Sequence, residues 1–271
     1  LRAEGTLDEH FKLPHLDLDI DYLERQGTRV TLPSRRFEIP ATLSSALSED
    51  LFAVDENQVL AVGGKGAIRV DSRSLSLSAD SAFTLEAWIY VGEELTQNAV
   101  MAKTESSDFG FYMHNGQLQF DVHVGGDYQS VQTQEKLPIG SWHHVAGIHD
   151  QREVRVYVDG KLVGTRAAVG RRKVNEHPFY IGADPDRRGA PNRFFSGKID
   201  EVRVSKVARY TGDGYDMPLR HEPDNDTILL LHMDKTLGVF HPDQSARSAH
   251  GVAVGEGARL MPEKQPALDT D

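Results

Sequence analysis

The sequence predicts an all-β chain that folds as a two-sheet antiparallel sandwich. Short stretches that alternate apolar and polar residues recur along it, and this is the pattern of half-buried strands. Turn residues separate these stretches roughly every ten residues, and the pairs Asn115-Gly116 and Asp159-Gly160 are of the kind that closes tight hairpins. From residue 51 onward no helix-length stretch separates the strands, which disfavours a parallel sheet built from βαβ units.

Composition narrows the class of protein. The chain has 271 residues, of which 39% are hydrophobic and 26% charged, as is typical of a soluble globular domain with a large core. It has no cysteine, which excludes disulfides and thiolate metal sites. The excess of 41 acidic over 30 basic residues gives a net charge of −11, which disfavours nucleic acid as a partner and suits divalent cations. Because no run of about 18 apolar residues occurs, we expect no membrane insertion.

Residues 1–50 are interpreted as an N-terminal extension, or as edge strands, of uncertain role. Leu13–Gln26 alternates apolar residues with three aspartates, as in an edge strand that carries protective charge or in a cation site. Thr42–Asp50 is the only helical candidate in this part. The chain begins at Leu1 without a signal peptide, so we expect a mature or excised fragment.

Residues 51–260 carry the regular strand pattern and are predicted to form one domain, followed by a tail at 261–271. One face of the predicted strand in Ala82–Val91 is apolar, and the opposite face carries Trp88 and Tyr90. Large aromatic residues on the second face predict a central strand that is covered on both sides. The other predicted strands are Gln58–Val62, Ala67–Val70, Val100–Lys103, Gly110–His114, Gln117–Val124, Ser130–Thr133, Trp142–His149, Glu153–Val158, Leu162-Val163, Phe179–Gly182 and Thr227–Met233.

The stretch Phe194–Tyr210 also alternates, but its phase breaks at two adjacent carboxylates, Asp200 and Glu201. An unpaired carboxylate inside an apolar strand is costly. One interpretation is that the carboxylate has a partner such as Arg203 or lies on an exposed strand face. The other is that Asp200 binds a cation, for which calcium fits best because it prefers carboxylate and carbonyl oxygens. A short helix at Lys206–Tyr210 is a further expectation.

Three ordered stretches carry a family resemblance: Phe83–Val91 (FTLEAWIYV), Trp142–Gly164 and Gly197–Thr211. Together they resemble laminin-G-like, concanavalin A-like jelly-roll domains, which implies two curved antiparallel sheets packed face to face. A fourth stretch, Thr227–Gly251, resembles the segment that often opens such domains, although here it lies near the end. We favour a permuted strand of the same sandwich over the start of a following repeat, because TILLL would otherwise be an unpaired apolar strand.

The resemblance implies a structural calcium ion. Asp200 matches the carboxylate of the strand that carries the Ile-Asp motif, Asp243 matches an Asp-x-Ser loop, and Gly251 could add a backbone carbonyl. The alternative is that Asp200 caps loop amides and Asp243 forms an Asx turn. Among the 12 histidines, the neighbours His143 and His144 point to opposite strand faces, and no third ligand is evident, so a histidine metal site is not favoured.

No catalytic motif is found. Relatives of the resembled fold include glycoside hydrolases with two carboxylates on one strand face. Glu201 is expected to point away from Asp200, so these two do not form such a pair. Asp121 and His123 share a strand face, and with Tyr112 or Tyr128 they could form a lyase-like trio.

The function favoured by these observations is a non-catalytic extracellular binding module, stabilised by calcium, that recognises carbohydrate or an extracellular protein. The alternatives are a polysaccharide-active hydrolase or lyase and a purely structural spacer. The expected location is extracellular or at the cell surface, with the periplasm as a third setting. Ligand-binding residues are not identified by the sequence. The aromatic candidates are Tyr128, Phe179, Phe194 and Phe195, which lie in or near predicted loops.

Overall fold

The computed structural model describes residues 2–4, 15–19, 35–38, 57–75 and 77–263. The chain divides into two compact units, Leu1–Asp55 and Glu56–Asp271. Almost all regular structure in the described residues is β-strand, and the one helix among them is the single turn α1 (Ser72–Leu75). The described part of the chain holds no helix long and apolar enough to cross a membrane. The predicted all-β fold is therefore confirmed.

The first unit contains a three-stranded antiparallel sheet in the order β1-β2-β3. Its strands are β1 (Arg2–Glu4), β2 (His15–Asp19) and β3 (Arg35–Glu38). The strand predicted within Leu13–Gln26 is present at His15–Asp19, with partners on both sides. The helix predicted at Thr42–Asp50, the third aspartate of the alternating stretch, and the segment 51–56 lie outside the described residues.

The second unit is built on two large antiparallel sheets. Sheet I has the order β10 (Asp127–Gln132), β9 (Gln117–Val124), β8 (Phe109–His114), β7 (Gln97–Ala102), β14 (Phe179–Ile181), β5 (Ala67–Val70), β20 (Gly251–Val254) and β19 (Phe240–His241). Sheet II has the order β13 (Lys161–Ala167), β12 (Glu153–Val158), β11 (Trp142–His149), β6 (Phe83–Val91), β17 (Gly197–Ser205), β4 (Gln58–Val62) and β21 (Arg259–Pro262). β18 (Thr227–Leu231) pairs with β17, and a small hairpin joins β15 (Asp184–Pro185) to β16 (Pro191–Asn192).

The core lies between the two sheets because alternate residues of each strand turn inward. Phe83 and Leu85 of β6 in sheet II share one buried cluster with Phe111 and Phe120 of sheet I. The rings of Phe111 and Phe120 stand 4.5 Å apart between centroids. Each such side chain stabilises the fold by about 1.5–3 kcal/mol relative to leaving it exposed. Because neighbouring residues of a strand point to opposite faces, the buried residues also identify the residues that face outward.

The outer face of the central strands of sheet II is also buried, as predicted for β6. The connection of residues 206–226, called here the covering connection, lies over it. The indole Nε1 of Trp88 on β6 donates to the Pro218 carbonyl at 3.1 Å, and Thr84 Oγ1 donates to the Val207 carbonyl at 2.8 Å. The helix expected at Lys206–Tyr210 is absent: the Arg209 amide bonds Thr84 Oγ1 at 3.0 Å, so this backbone is held by the sheet rather than by helical hydrogen bonds.

The phase break in β17 is a β-bulge between Asp200 and Arg203. Glu201 is the extra residue and has a left-handed φ of 51°. Asp200 pairs with Trp88 and Arg203 with Glu86, so both face outward. The expectation that Glu201 points away from Asp200 is wrong, because the bulge interrupts the alternation. Its carboxylate accepts the amide of His221 in the covering connection at 2.8 Å.

The C-terminal segment belongs to the same sandwich. All five residues of β18 are buried, and the strand pairs with the second half of β17. β20 inserts into sheet I beside β5, and β21 pairs with β4 in sheet II. The expectation that Thr227–Met233 belongs to the same sandwich is therefore confirmed, since β18 pairs with β17. β21 extends to Pro262, two residues past the expected domain end at residue 260.

Candidate functional site

The outer face of sheet I carries an open polar groove with a cavity volume of about 410 Å³. Because Phe111 and Phe120 turn into the core, their neighbours Tyr112, Gln119 and Asp121 must face outward. Loops at the ends of the strands complete the walls. The lining residues are Gln97, Thr104, Glu105, Ser106, Tyr112, His114, Gln119, Asp121, Tyr128, Asp184, Pro185, Asp186, Arg187, Asn192 and Arg193.

A buried hydrogen-bonded trio forms one part of this groove. The Tyr112 hydroxyl donates to Asp184 Oδ1 at 3.0 Å, and Thr104 Oγ1 donates to the same oxygen while lying 2.6 Å from Tyr112. Burial raises the pKa of the Asp184 carboxyl, and burial together with the Asp184 charge raises the pKa of Tyr112 well above its usual value. Arg193, at the rim of the groove, lies 3.6 Å from the other Asp184 oxygen. These contacts position the three side chains relative to one another.

Asp121 lies beside this trio, on β9. The amide of Gln119 donates to its two oxygens at 2.9 and 3.1 Å. Burial raises the pKa of Asp121. Tyr128 stands on β10, and its hydroxyl is held by the backbone amide and carbonyl of Ser107, each at 3.0 Å. The groove thus presents carboxylate, amide and phenol groups whose positions are set by neighbouring protein atoms.

The rim of the groove contains unusual backbone. Glu105, Ser106 and Arg193 adopt left-handed φ angles of 94°, 53° and 48°. Such angles are uncommon for residues other than glycine and occur where surrounding contacts enforce them, often at binding sites. The β15–β16 hairpin is closed by Asp186, whose Oδ1 accepts the amides of Arg188 at 2.7 Å and Ala190 at 2.9 Å. The rim is therefore a set of defined turns.

The suggested lyase-like trio is only partly present in the groove. Asp121, Tyr112 and Tyr128 line the groove, whereas His123 does not. His123 is buried with its ring edge-on to Tyr128, 5.0 Å between centroids, and burial lowers its pKa. The trio is not assembled around His123.

The other aromatic candidates pack inside the protein and do not line the groove. Phe179 and Phe195 are fully buried in the core, and Phe194 packs partly buried against a small cluster around Tyr180. Of the four aromatic candidates, only Tyr128 lines the groove. Aromatics near turns in this chain therefore mostly close the sandwich.

The residues expected to hold calcium are placed as follows. Asp200 is buried on the outer side of sheet II, and its Oδ1 accepts the Glu201 amide at 2.9 Å. Gly251 lies on β20 of sheet I, opposite His241. A Cβ on Gly251 would come within 2.5 Å of Ile68 Cγ2, so glycine is required there by core packing.

Asp243 organises its own loop. Its Oδ1 accepts the amides of Leu230 at 2.8 Å and Ser245 at 2.9 Å. Its Oδ2 accepts the Ser245 hydroxyl at 2.6 Å and the Ala249 amide at 2.8 Å. A carboxylate has about four acceptor positions, and these four donors fill them. The Asx-turn interpretation describes these contacts, and an ion bound to Asp243 would have to replace some of them.

Reasoning from the sequence missed most of the groove. Thr104, Gln119, Asp184 and Arg193 were not singled out, and Thr104 and Asp184 are 80 residues apart in the chain. The sequence signal that did exist was strand alternation. It placed Asp121 on one strand face with His123 and named Tyr112 as a possible neighbour, but it did not predict which loops border them.

Comparisons with known proteins agree with this architecture. A candidate carbohydrate-binding protein from Bacteroides ovatus ATCC 8483 is similar in structure, with a TM-score of 0.58 and 23% identity. The alignment covers 76% of this chain and 60% of that structure, so the chain spans less than two thirds of its length. At this identity the similarity shows the fold alone.

Two further structures are similar at lower scores. The CBM40 of Ruminococcus gnavus IT-sialidase, bound to α2,3-sialyllactose, is 14% identical over 56% of this chain and 92% of that chain, with a TM-score of 0.46. Domain 4 of AbnA, a GH43 extracellular arabinanase of Geobacillus stearothermophilus in complex with arabinotriose, is 18% identical over 55% and 71%, with a TM-score of 0.44. No curated protein sequence matches the chain.

A sequence family also matches. Residues 62–211 fit the profile of the concanavalin A-like lectin/glucanases superfamily, in its laminin-G-type branch. The matched segment runs from β4 to just beyond β17 and includes the strands that form the groove. Because it covers more than half of the 271 residues, the chain belongs to the concanavalin A-like lectin/glucanases superfamily.

Proposed function

We propose that the protein is a non-catalytic carbohydrate-binding module and that the groove on sheet I is its binding surface. The observation that carries this proposal is the groove itself. Its volume of about 410 Å³ lies within the usual range for ligand sites, and its lining is rich in polar side chains. The fold and superfamily support the same function.

The lining chemistry suits sugar hydroxyls. Each hydroxyl both donates and accepts a hydrogen bond, so it is well matched by carboxylate and amide groups such as those of Asp121, Gln119 and Asn192. Arg187 and Arg193 add donors at the rim. The groups are pre-positioned, which reduces the entropy lost when a ligand binds.

One observation favours the enzyme alternative. Asp121 and Asp184 both line the groove, and burial raises the pKa of each, as a general acid requires. Arg193 lies 3.6 Å from Asp184 and favours its ionised form, which leaves Asp121 as the candidate acid. A polysaccharide hydrolase or lyase centred on Asp121 is therefore the second candidate function.

Calcium stabilisation through Asp200, Asp243 and Gly251 remains a proposal. The family resemblance and the net charge of −11 support it. The saturated hydrogen bonding of Asp243 is unfavourable for an ion at that residue. An extracellular, cell-surface or periplasmic location is proposed together with the binding function, because polysaccharides and glycoproteins are found there.

A glycan array followed by calorimetry tests the binding function. We expect a carbohydrate to bind the wild-type protein and Gln119→Ala to weaken that binding at least about tenfold, which is ~1.4 kcal/mol. Gln134→Ala is the matched control, because Gln134 is exposed and does not line the groove. If both variants bound the carbohydrate with equal affinity, the binding site would lie outside the groove.

A turnover assay separates the two candidate functions. The ligands found on the array are incubated with the protein, and products are followed by chromatography. Unchanged ligand supports the binding module. Product that disappears in Asp121→Asn supports the enzyme, and absence of both binding and turnover supports a spacer.

A further inference from the structure

A second polar site lies on the other side of the sandwich, between sheet II and the covering connection. Glu86 on β6 and His144 on β11 project from the outer face of neighbouring strands. His221 of the covering connection lies above them. The three side chains are 0%, 0% and 1% exposed. This cluster shares no lining residue with the groove on sheet I.

Three potential ligand atoms converge in this cluster. The Nε2 atoms of His144 and His221 each lie 3.8 Å from Glu86 Oε2. All three ligand atoms lie within 4.8 Å of one another. A separation of 3.8 Å is too long for a hydrogen bond. It is close to the roughly 3.4 Å between two ligand atoms that bind one tetrahedral zinc ion at about 2.1 Å each.

The histidines have buried nitrogen atoms without hydrogen-bond partners. Among the described residues no partner exists for Nε2 of His144 or for either ring nitrogen of His221. Buried polar atoms are nearly always satisfied, and each exception requires an explanation. Two unpartnered Nε2 atoms that face one carboxylate oxygen point to a shared ligand.

The surrounding groups orient the cluster. His144 Nδ1 is hydrogen-bonded to the Tyr215 hydroxyl at 2.8 Å, which fixes the ring and leaves Nε2 directed at Glu86. Glu86 accepts Arg203 Nε on Oε1 at 2.8 Å and the Tyr210 hydroxyl on Oε2 at 2.7 Å. These contacts resemble the outer hydrogen bonds that hold metal ligands in place.

Two further charged side chains lie close to the cluster. Arg203 offsets Glu86, and Glu201 approaches from the bulge, where it accepts the His221 amide and bonds His232.

We propose that His144 Nε2, His221 Nε2 and Glu86 Oε2 bind one zinc ion beneath the covering connection. Two imidazoles and one carboxylate are a ligand set that zinc accepts. The ligands come from two strands and from the connection over them. The ion therefore links the connection to sheet II and stabilises the folded state.

The test uses the whole chain after removal of metal with a chelator. Zinc is titrated in competition with a chromophoric indicator, and Co²⁺ is added to a parallel sample for visible absorption. We expect one zinc ion per chain and visible absorption bands from bound Co²⁺. Zinc at a hundredfold excess over its Kd should raise the melting temperature by roughly 5–10 °C.

Two variants identify the ligands. His221→Gln should lose the tightly bound zinc and the Co²⁺ bands. His241→Gln should keep both, and it is the matched control because His241 is also buried, has an unpartnered Nδ1, and has a pKa lowered by burial to about 4. If His221→Gln does not fold, nitrogen NMR of the wild-type histidines decides, since two Nε2 resonances must shift when zinc is added. Absence of stoichiometric zinc in the wild-type protein, or unchanged zinc binding in folded His221→Gln, overturns the proposal.

Discussion

Arg203 Nε donates to Glu86 Oε1 at 2.8 Å where both side chains are buried on the outer side of sheet II. The two residues are directly paired across β17 and β6. Tyr210 of the covering connection bonds the other Glu86 oxygen at 2.7 Å. This buried ion pair is one point at which the connection is attached to the sheet.

The first prediction concerns this ion pair. In the metal-free protein, Arg203→Met should lower stability by about 3–5 kcal/mol, because it leaves the Glu86 carboxylate buried without its cation. Chemical denaturation measures the change. Lys206→Met is the control: Lys206 pairs with Asp226 at 3.7 Å on the exposed surface, so its loss should cost less than about 1 kcal/mol. Equal effects of the two variants would contradict the importance of the buried pair.

The second prediction concerns the C-terminal strands. A chain ended after Asp226 loses β18, β19, β20 and β21 and should not fold cooperatively. The buried Ile228 and the three leucines after it each contribute about 1.5–3 kcal/mol, and their sum approaches the whole stability of a typical domain. Circular dichroism and a melting curve measure the result. A chain ended after Glu263 keeps all these strands and should melt like the full chain. A cooperative transition in the shorter chain would contradict the prediction.

Most of the sandwich could be predicted because alternation directly reports which face of a strand is buried. The split of β17 into Ile199, Val202 and Val204 inside against Asp200 and Arg203 outside agrees with the sequence pattern. The break at Glu201 was visible, but strand alternation alone could not show that it is a bulge. That outcome depends on the neighbouring strand, which changes from β4 to β18 along β17.

The sites could not be predicted to the same extent because their residues come from distant segments. His143 and His144 were expected to face opposite ways, and they do: His143 bonds Asp159, and His144 faces Glu86. The partner His221 belongs to an irregular connection without periodicity. Its position depends on how residues 206–226 fold over the sheet. The sequence offered no signal for that path.

The third prediction tests calcium. If Asp200, Asp243 and Gly251 hold a structural calcium ion, chelation should lower the melting temperature by roughly 2–4 °C for each kcal/mol of stabilisation lost. Asp200→Asn should remove most of that response, because the amide keeps the shape of the side chain and removes its charge. A chelator specific for calcium over zinc is needed, and adding calcium back is the control. An unmoved melting curve together with no calcium detected by calorimetry would exclude the site.

Asp243→Asn separates calcium binding from hydrogen bonding at this loop. An amide presents a donor where Asp243 Oδ2 now accepts the Ser245 hydroxyl and the Ala249 amide. That mismatch should cost about 1–3 kcal/mol with or without calcium. Melting curves in calcium and in chelator measure it. A loss of stability that vanishes in chelator would show that the Asp243 carboxylate acts through the ion instead.

The last prediction concerns pH and follows from the two buried histidines. The metal-free protein should lose stability as pH falls below about 6.5. The unfolded chain then protonates His144 and His221, whereas burial holds their folded pKa values at about 4 and about 3. The unfolded state therefore binds more protons in the window from pH 6.5 down to about 4, and stability rises with pH across it. Each residue contributes up to about 1.4 kcal/mol per pH unit in that window.

Urea unfolding of the metal-free protein at pH 7.5, 6.0 and 5.0 measures this slope. His221→Gln should reduce it by about the contribution of one residue, because glutamine does not titrate. Asp184 acts in the opposite direction, since burial raises its pKa and favours the protonated folded state at low pH, so Asp184→Asn should steepen the loss of stability on acidification. A slope between pH 6 and 5 that is the same in wild type and in His221→Gln would show that His221 is already protonated in the folded protein. Its pairing with Glu86 would then be an ordinary buried ion pair.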